Sequence, residues 1–212
     1  MQTMPDRRTR KRLATRLSIS DAATRLFFER GFDAVTVDEI AEAADVGRMT
    51  VFNHFPRKED MFFDLDDEGR ETLREALRQR DAKIPPIETL RLLAHRLVGD
   101  QSRYIKFCPG SQRFVETVER SEALKARARA IRDELAHVVT LALAECVGRD
   151  PGDPDACLAA GLLVATWTVA FVHAHRTFRQ SADTEDAKGA FLALIDKGSI
   201  GLKAALGGTP YA

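Results

Sequence analysis

Apolar side chains recur along most of this chain at the spacing of one face of an α-helix. Ile19, Ala22, Ala23, Leu26 and Phe27 follow the i, i+3, i+4, i+7, i+8 stripe, and Leu124, Ala128, Ile131, Leu135, Val138 and Ala142 continue it over a longer run. Strand signals are scarce, with no sustained alternation of period two and no Asn-Gly hairpin turn. The breaks are equally legible. Gly31 follows Arg30 as a C-terminal cap, Pro85-Pro86 and Pro109-Gly110 interrupt helical runs, and Asp153-Pro154 supplies an N-cap followed by proline. Together they predict about nine helices, at residues 9–30, 37–44, 48–54, 57–82, 87–106, 110–119, 121–147, 154–179 and 185–206. The expected fold class is all-α.

The chemistry concentrates between residues 36 and 55. Thr36-Val37-Asp38-Glu39 reads as a capping box: the Thr36 hydroxyl accepts from the Glu39 amide, and the Glu39 side chain reaches back to the Thr36 amide. Val37, Ile40, Ala41 and Ala44 then place small and branched apolar groups on one face, and Asp45-Val46-Gly47 ends the helix. A second helix follows at once from Arg48, with Val51 and Phe55 one turn apart and able to pack back with Val46. Arg48, Thr50, Asn53 and His54 are left without a core to join. Side chains of that kind read base edges or hold phosphates. A short helix, a tight turn and a second short helix so equipped form the pattern of a helix-turn-helix, whose second helix enters the major groove of DNA.

The run from Thr36 to Asp60, with the preceding Leu26 to Phe32, closely resembles the DNA-binding signature of the TetR family over about residues 15–65. The resemblance implies a three-helix DNA-binding domain at residues 1–56, with a basic N-terminal arm, and a helical ligand-binding and dimerisation domain at residues 57–212. It implies that Thr36 caps its helix and touches a phosphate, that Arg48, Thr50 and Asn53 face bases or backbone, and that His54 and Lys58 meet phosphates. Phe52 stands where the family commonly has Tyr, so a phosphate-contacting hydroxyl is absent. Asp45 stands where Gly is common, and Gly47 replaces the usual Ser or Thr cap. The implied partners are a double-stranded, pseudo-palindromic operator, a second copy of the chain, and a small effector whose entry releases the DNA.

Composition narrows the picture. Formal net charge is zero, so attraction to DNA must come from local arrangement. Arg7, Arg8, Arg10, Lys11, Arg12 and Arg16 supply a basic stretch that fits either a solvated tail or a DNA-tracking arm. Cys108, Cys146 and Cys157 lack metal-type spacing and read as reduced thiols. With no apolar segment after the basic N-terminus, a cytoplasmic location is expected. Ala156 to Ala174 carries no formally charged side chain, but its richness in Ala, Gly and Thr favours a helix buried in a subunit interface over a membrane span.

Catalytic, metal and cofactor signatures are missing. There is no nucleophile elbow, phosphate loop or His-Glu-x-x-His, and His173 and His175, two residues apart, point to different sides of a helix. An enzyme is therefore not expected. Phe107, Phe114, Trp167 and Phe171, with Phe178, are aromatic residues from more than one predicted element that suit a lipophilic effector pocket. Residues 61–114 resemble a TetR subgroup with acyl-CoA-like ligands, and Arg103, Lys106 and Arg113 offer cations for an acidic ligand end. Leu158, Gly161, Leu162 and Ala165, together with Phe191, Ile195 and Leu202 on the last helix, form the expected dimer interface, a four-helix bundle across a two-fold axis. The competing reading is a helical ligand-binding or scaffold protein that has kept a DNA-binding head without using it.

Overall fold

The computed structural model describes residues 6–212 and is all-helical, with no strand among the described residues. Residues 1–5, which open the expected DNA-binding domain, lie outside them. The helices are α1 (Arg7–Arg30), α2 (Val37–Ala43), α3 (Arg48–His54), α4 (Lys58–Phe62), α5 (Asp66–Arg78), α6 (Pro86–Gly99), α7 (Pro109–Arg120), α8 (Glu122–Cys146), α9 (Pro154–Ser181) and α10 (Thr184–Ala205). They form two compact units, one running to Asp64 and taking in Glu116–Arg127, the other comprising Leu65–Val115 and Ala128–Ala212.

The first unit is built on α1. Its apolar stripe, Ile19, Ala22, Ala23 and Phe27, is buried with Phe32, Val35, Ile40 and Ala41. The single helix expected at 57–82 is broken at Phe63–Leu65 into α4 and α5. The break lets Met61 and Phe62 bury themselves in the head, the Phe62 ring lying 6.0 Å from Phe27 and 6.3 Å from Phe32, while the Ser20 hydroxyl donates to Asp64. The head therefore extends past residue 56, where the sequence divided the chain. It also recruits distant chain, because Ser121 Oγ donates to Asp33 at 2.8 Å and Arg127 Nε to Asp60 at 2.9 Å.

The second unit centres on α9 and α10. Ala182, left-handed at φ 55°, ends α9, and Asp183 caps α10 by accepting from the Glu185 amide. The two helices approach so closely that a Cβ on Gly198 would sit 2.2 Å from Thr166 Cγ2, so no larger residue fits there without movement. A charged network binds α6 to α10: Arg91 bridges Glu88 (2.7 Å) and Asp196 (2.8 Å), and Lys203 reaches Glu88 (2.6 Å). The helix expected to reach residue 106 stops at Gly99, because Gln101 turns left-handed and Ser102 donates its amide back to Leu97. A shallow depression of about 270 Å³ on α6 and α10 is lined by Glu88, Arg91, Asp196, Ser199, Ile200 and Lys203. It includes none of the expected pocket residues.

Three expected interface residues need correction. Phe191, Ile195 and Leu202 are buried within the subunit's own core, Phe191 and Ile195 with Phe107 and Ala174, and Leu202 with Leu90 and Leu163. Apolar periodicity reports the face a helix buries, and on α10 that face is already covered. By contrast Leu158, Gly161, Leu162 and Ala165 are exposed on α9, in line with Val169 and Val172. Among the described residues α9 is the one helix long and apolar enough to cross a membrane, but its other face, from Ala156 to Phe178, is core.

His175 on α9 is 1% exposed, and burial, with the Arg179 charge nearby, holds its pKa down to about 4. The folded chain therefore keeps it neutral, while the unfolded chain protonates it below its ordinary pKa of 6.5. Stability from this residue is complete above about pH 6.5 and is lost as the pH falls towards 4, a decline on the order of 3 kcal/mol. Urea denaturation across that window is expected to show the decline in the native chain and to lose that component in His175→Phe.

Candidate nucleic-acid interface

The helix-turn-helix begins with the expected capping box. Thr36 Oγ1 accepts the Glu39 amide at 3.3 Å, and Glu39 Oε2 accepts both the Thr36 amide and the Thr36 hydroxyl at 2.8 Å. Those bonds, led by the Thr36 amide and reinforced by Arg30, hold the Glu39 carboxyl down to about 2. Thr36 itself is exposed. The turn after α2 requires Asp45 at φ 53°, and Val46 donates its amide to the Ala41 carbonyl at 3.0 Å, closing the helix end. Aspartate enters this left-handed region more readily than most residues, which explains how glycine is dispensed with. Gly47 caps α3 in extended backbone and offers no side-chain bond.

At seven residues, α3 is too short to stand alone and is held by its underside. Val51 and Phe55 are fully buried, whereas Val46, expected beside them, is half-buried. Arg16 makes the decisive clamp: its guanidinium donates to the His54 carbonyl at 2.6 Å and lies 4.1 Å from the centre of the Phe55 ring. Arg16 is thereby a scaffold residue, separate in role from the exposed Arg7, Arg8, Arg10, Lys11 and Arg12 on the first turns of α1.

The outer surface of α3 carries two rows at i and i+4. Arg48 and Phe52 form one, with the guanidinium 5.6 Å from the ring centre; Met49 and Asn53 form the other, both exposed. Arg48 Nη1 donates to both carboxylate oxygens of Asp38, at 3.0 and 2.8 Å. Thr50 and His54 are half-buried, and the His54 imidazole is held below its ordinary pKa first by burial and then by the charges of Arg12 and Arg16. The surface therefore presents a planar guanidinium, a carboxamide and a thioether, which suit guanine, adenine and the thymine methyl respectively.

Lys58, expected at the phosphates, is half-buried and bonded within the chain. Its ammonium donates to the Phe32 carbonyl at 2.5 Å and sits 4.2 Å from the centre of the Phe32 ring, and burial lowers its pKa. It ties α4 to the loop after α1. Met49, 69% exposed, and Asp38 were missed by a search for hydrogen-bonding side chains on the second helix alone. Placing Met49 one turn before Asn53 would have found the first; the second needed the angle between α2 and α3.

Of the expected pocket residues, Phe107, Trp167 and Phe171 meet in one aromatic cluster. Phe107 lies 6.4 Å from Phe171 and 5.9 Å from Phe191, and Trp167 lies 6.2 Å from Phe191. Phe114 is half-buried on α7. Arg103 pairs with Glu68 at 3.5 Å.

Residues 19–65 match the family model for bacterial regulatory proteins of the tetR family. The transcriptional regulator AcrR of Shigella flexneri is 36% identical over 86 residues, 39% of this chain and 40% of that protein. The chain thus matches about two fifths or less of the length of its curated relatives. Among solved structures, native NalD of Pseudomonas aeruginosa, the secondary repressor of the MexAB-OprM multidrug efflux pump, is 25% identical. It superposes with a TM-score of 0.56, covering 87% of this chain and 96% of its own. Thermus thermophilus FadR, a TetR-family repressor solved with lauroyl-CoA, shares the fold at 23% identity and TM-score 0.53, covering 88% and 92% of the two chains. The curated relatives are transcriptional regulators, not enzymes.

Proposed function

We propose that the chain is a regulator of the TetR family, whose model residues 19–65 match, and that it acts as a cytoplasmic repressor of transcription, released from a palindromic operator by a small lipophilic effector. We assign DNA contact to the first compact unit, and effector binding and dimerisation to the second. The observation that carries the reading is the outward surface of α3. Arg48, Met49 and Asn53 are exposed there, while Val51 and Phe55 are buried beneath.

Supporting contacts come from α1. Five cations crowd the first turns of a helix whose amino end is already positive and is answered, among the described residues, by the Asp6 carboxylate alone, an arrangement that a further anion relieves. Backbone phosphates would provide it. Thr36 stands exposed at the amino end of α2 with its amide and hydroxyl bonded to Glu39, and Gly47 adds no side-chain bulk at the amino end of α3, where the chain approaches the same surface. Thr50, Phe52 and His54 contribute to the same surface, and Lys58 acts through the head's internal packing.

The second unit supports a homodimer. Leu158, Leu162, Val169 and Val172 are exposed along one side of α9, with Gly161 and Ala165 leaving room for close approach, and Ile200 is 71% exposed on α10. Pairing these helices with their copies would form a four-helix bundle. For the effector, the aromatic cluster around Phe107, Trp167 and Phe171 favours an apolar ligand. The lauroyl-CoA bound by FadR makes acyl-CoA-like molecules one class to include. Effector and operator must weaken each other's binding by the same factor.

Genomic fragments selected by the purified protein supply the operator. In an anisotropy titration, Arg48→Ala with Asn53→Ala is expected to lower specific affinity at least tenfold, since each base contact contributes about 1–3 kcal/mol of discrimination. Failure to select any fragment would favour the scaffold reading, and unchanged affinity would show that α3 does not read the operator. Replacing Arg7, Arg8 and Lys11 by Gln should flatten the salt dependence by about 0.9 in slope for each phosphate left without its cation, whereas an unaltered slope would show these cations to be solvated. Light scattering at micromolar concentration is expected to give a dimer for the native chain and a monomer for Val169→Glu with Val172→Glu; a native monomer removes the interface.

A further inference from the structure

Trp167, Phe171 and His175 succeed one another at i, i+4 and i+8 on α9 and so form a single row. Facing that row, the Phe107 ring lies 5.2 Å from the His175 ring, and Phe171 lies 4.5 Å from it, both edge to face. Phe107 is itself fixed, its carbonyl accepting the Thr184 hydroxyl at 2.8 Å. Small residues, Ala170, Ala174 and Ala187, surround the cluster. Within it His175 is 1% exposed, yet neither Nδ1 nor Nε2 has a hydrogen-bond partner among the described residues.

That combination is costly. Two buried ring nitrogens stripped of water forfeit about 1–3 kcal/mol each unless something bonds to them, and native cores rarely leave such groups orphaned. Phenylalanine would fill the same space without the penalty. Trp167 and Phe171, the other members of the row, are half-buried where His175 is buried. Resting on the effector reading above, we propose that His175 is the polar anchor of the effector site, and that its ligand is a neutral, aromatic molecule bearing one hydroxyl, of the phenol type.

The chemistry follows from the imidazole. A neutral ring offers one N–H donor and one bare nitrogen acceptor, and a hydroxyl can satisfy either. The aromatic walls favour a flat ring held edge to face. Carboxylate or phosphate would have to enter this apolar cluster charged, at a far greater desolvation cost than a hydroxyl. Neutrality of His175 agrees with its depressed pKa.

Trp167 is the sole tryptophan of the chain and lies in the cluster, so its emission reports occupancy. The full-length protein is titrated with 4-tert-butylphenol and with tert-butylbenzene, which differ only in the hydroxyl, exciting tryptophan selectively. The phenol is expected to bind saturably and about tenfold more tightly, the worth of one hydrogen bond to a buried group. His175→Phe should abolish that preference, and His175→Gln, which keeps a donor and an acceptor, should retain it. Equal binding of the two probes, or a preference surviving in His175→Phe, overturns the anchor. Saturable binding of lauroyl-CoA with no response to the phenol also overturns it, but leaves a lipophilic effector intact.

Discussion

Everything the head can do depends on pinning a seven-residue helix that has no stability of its own. An isolated helix of that length gains too few hydrogen bonds to offset its nucleation, so α3 exists only because Val51 and Phe55 are buried beneath it and Arg16 holds its last carbonyl. The clamp fixes position as well as stability. A guanidinium stacked on Phe55 while bonded to the His54 carbonyl sets α3 against α1, and with it the direction in which Arg48, Met49 and Asn53 face. The capping box at Thr36 and the left-handed Asp45 do the same for α2 and the turn that follows it.

Zero net charge conceals a local polarity. The opening turns of α1 carry five exposed cations against the sense of the helix dipole, with the N-cap Asp6 as the one carboxylate at that end among the described residues. Elsewhere many cations are answered within the chain, as in Glu88, Arg91, Asp196 and Lys203, or Arg70 with Asp66 and Glu134. Arg48 occupies a middle position. Its bond to Asp38 spans two exposed side chains and contributes little to stability, but it keeps the guanidinium extended over Phe52.

The long apolar helix α9 resolves into two faces with different roles. One carries the alanines, Leu163 and the aromatic row into the core, and the close contact of Thr166 with Gly198 locks α10 beside it. The other leaves Leu158, Leu162, Val169 and Val172 in the open, the stripe proposed above to meet a second copy of the chain. His175 interrupts an otherwise apolar interior, and polar groups without partners in such places call for a ligand or a reason.

The amino-acid sequence alone determined the all-helical class, most helix boundaries, the capping box and the exposed residues Arg48 and Asn53. All of these follow from periodicity and from bonds made within a few residues. Tertiary structure alone decided the break between α4 and α5, the docking of Ser121 and Arg127 on the head, the inward turn of Lys58 and the pairing of Arg48 with Asp38. It also decided that Phe191, Ile195 and Leu202 face their own core. The reason is physical: an apolar stripe records that a face is buried but not against what, and a cation's partner depends on which carboxylate or carbonyl the fold brings within about 3 Å.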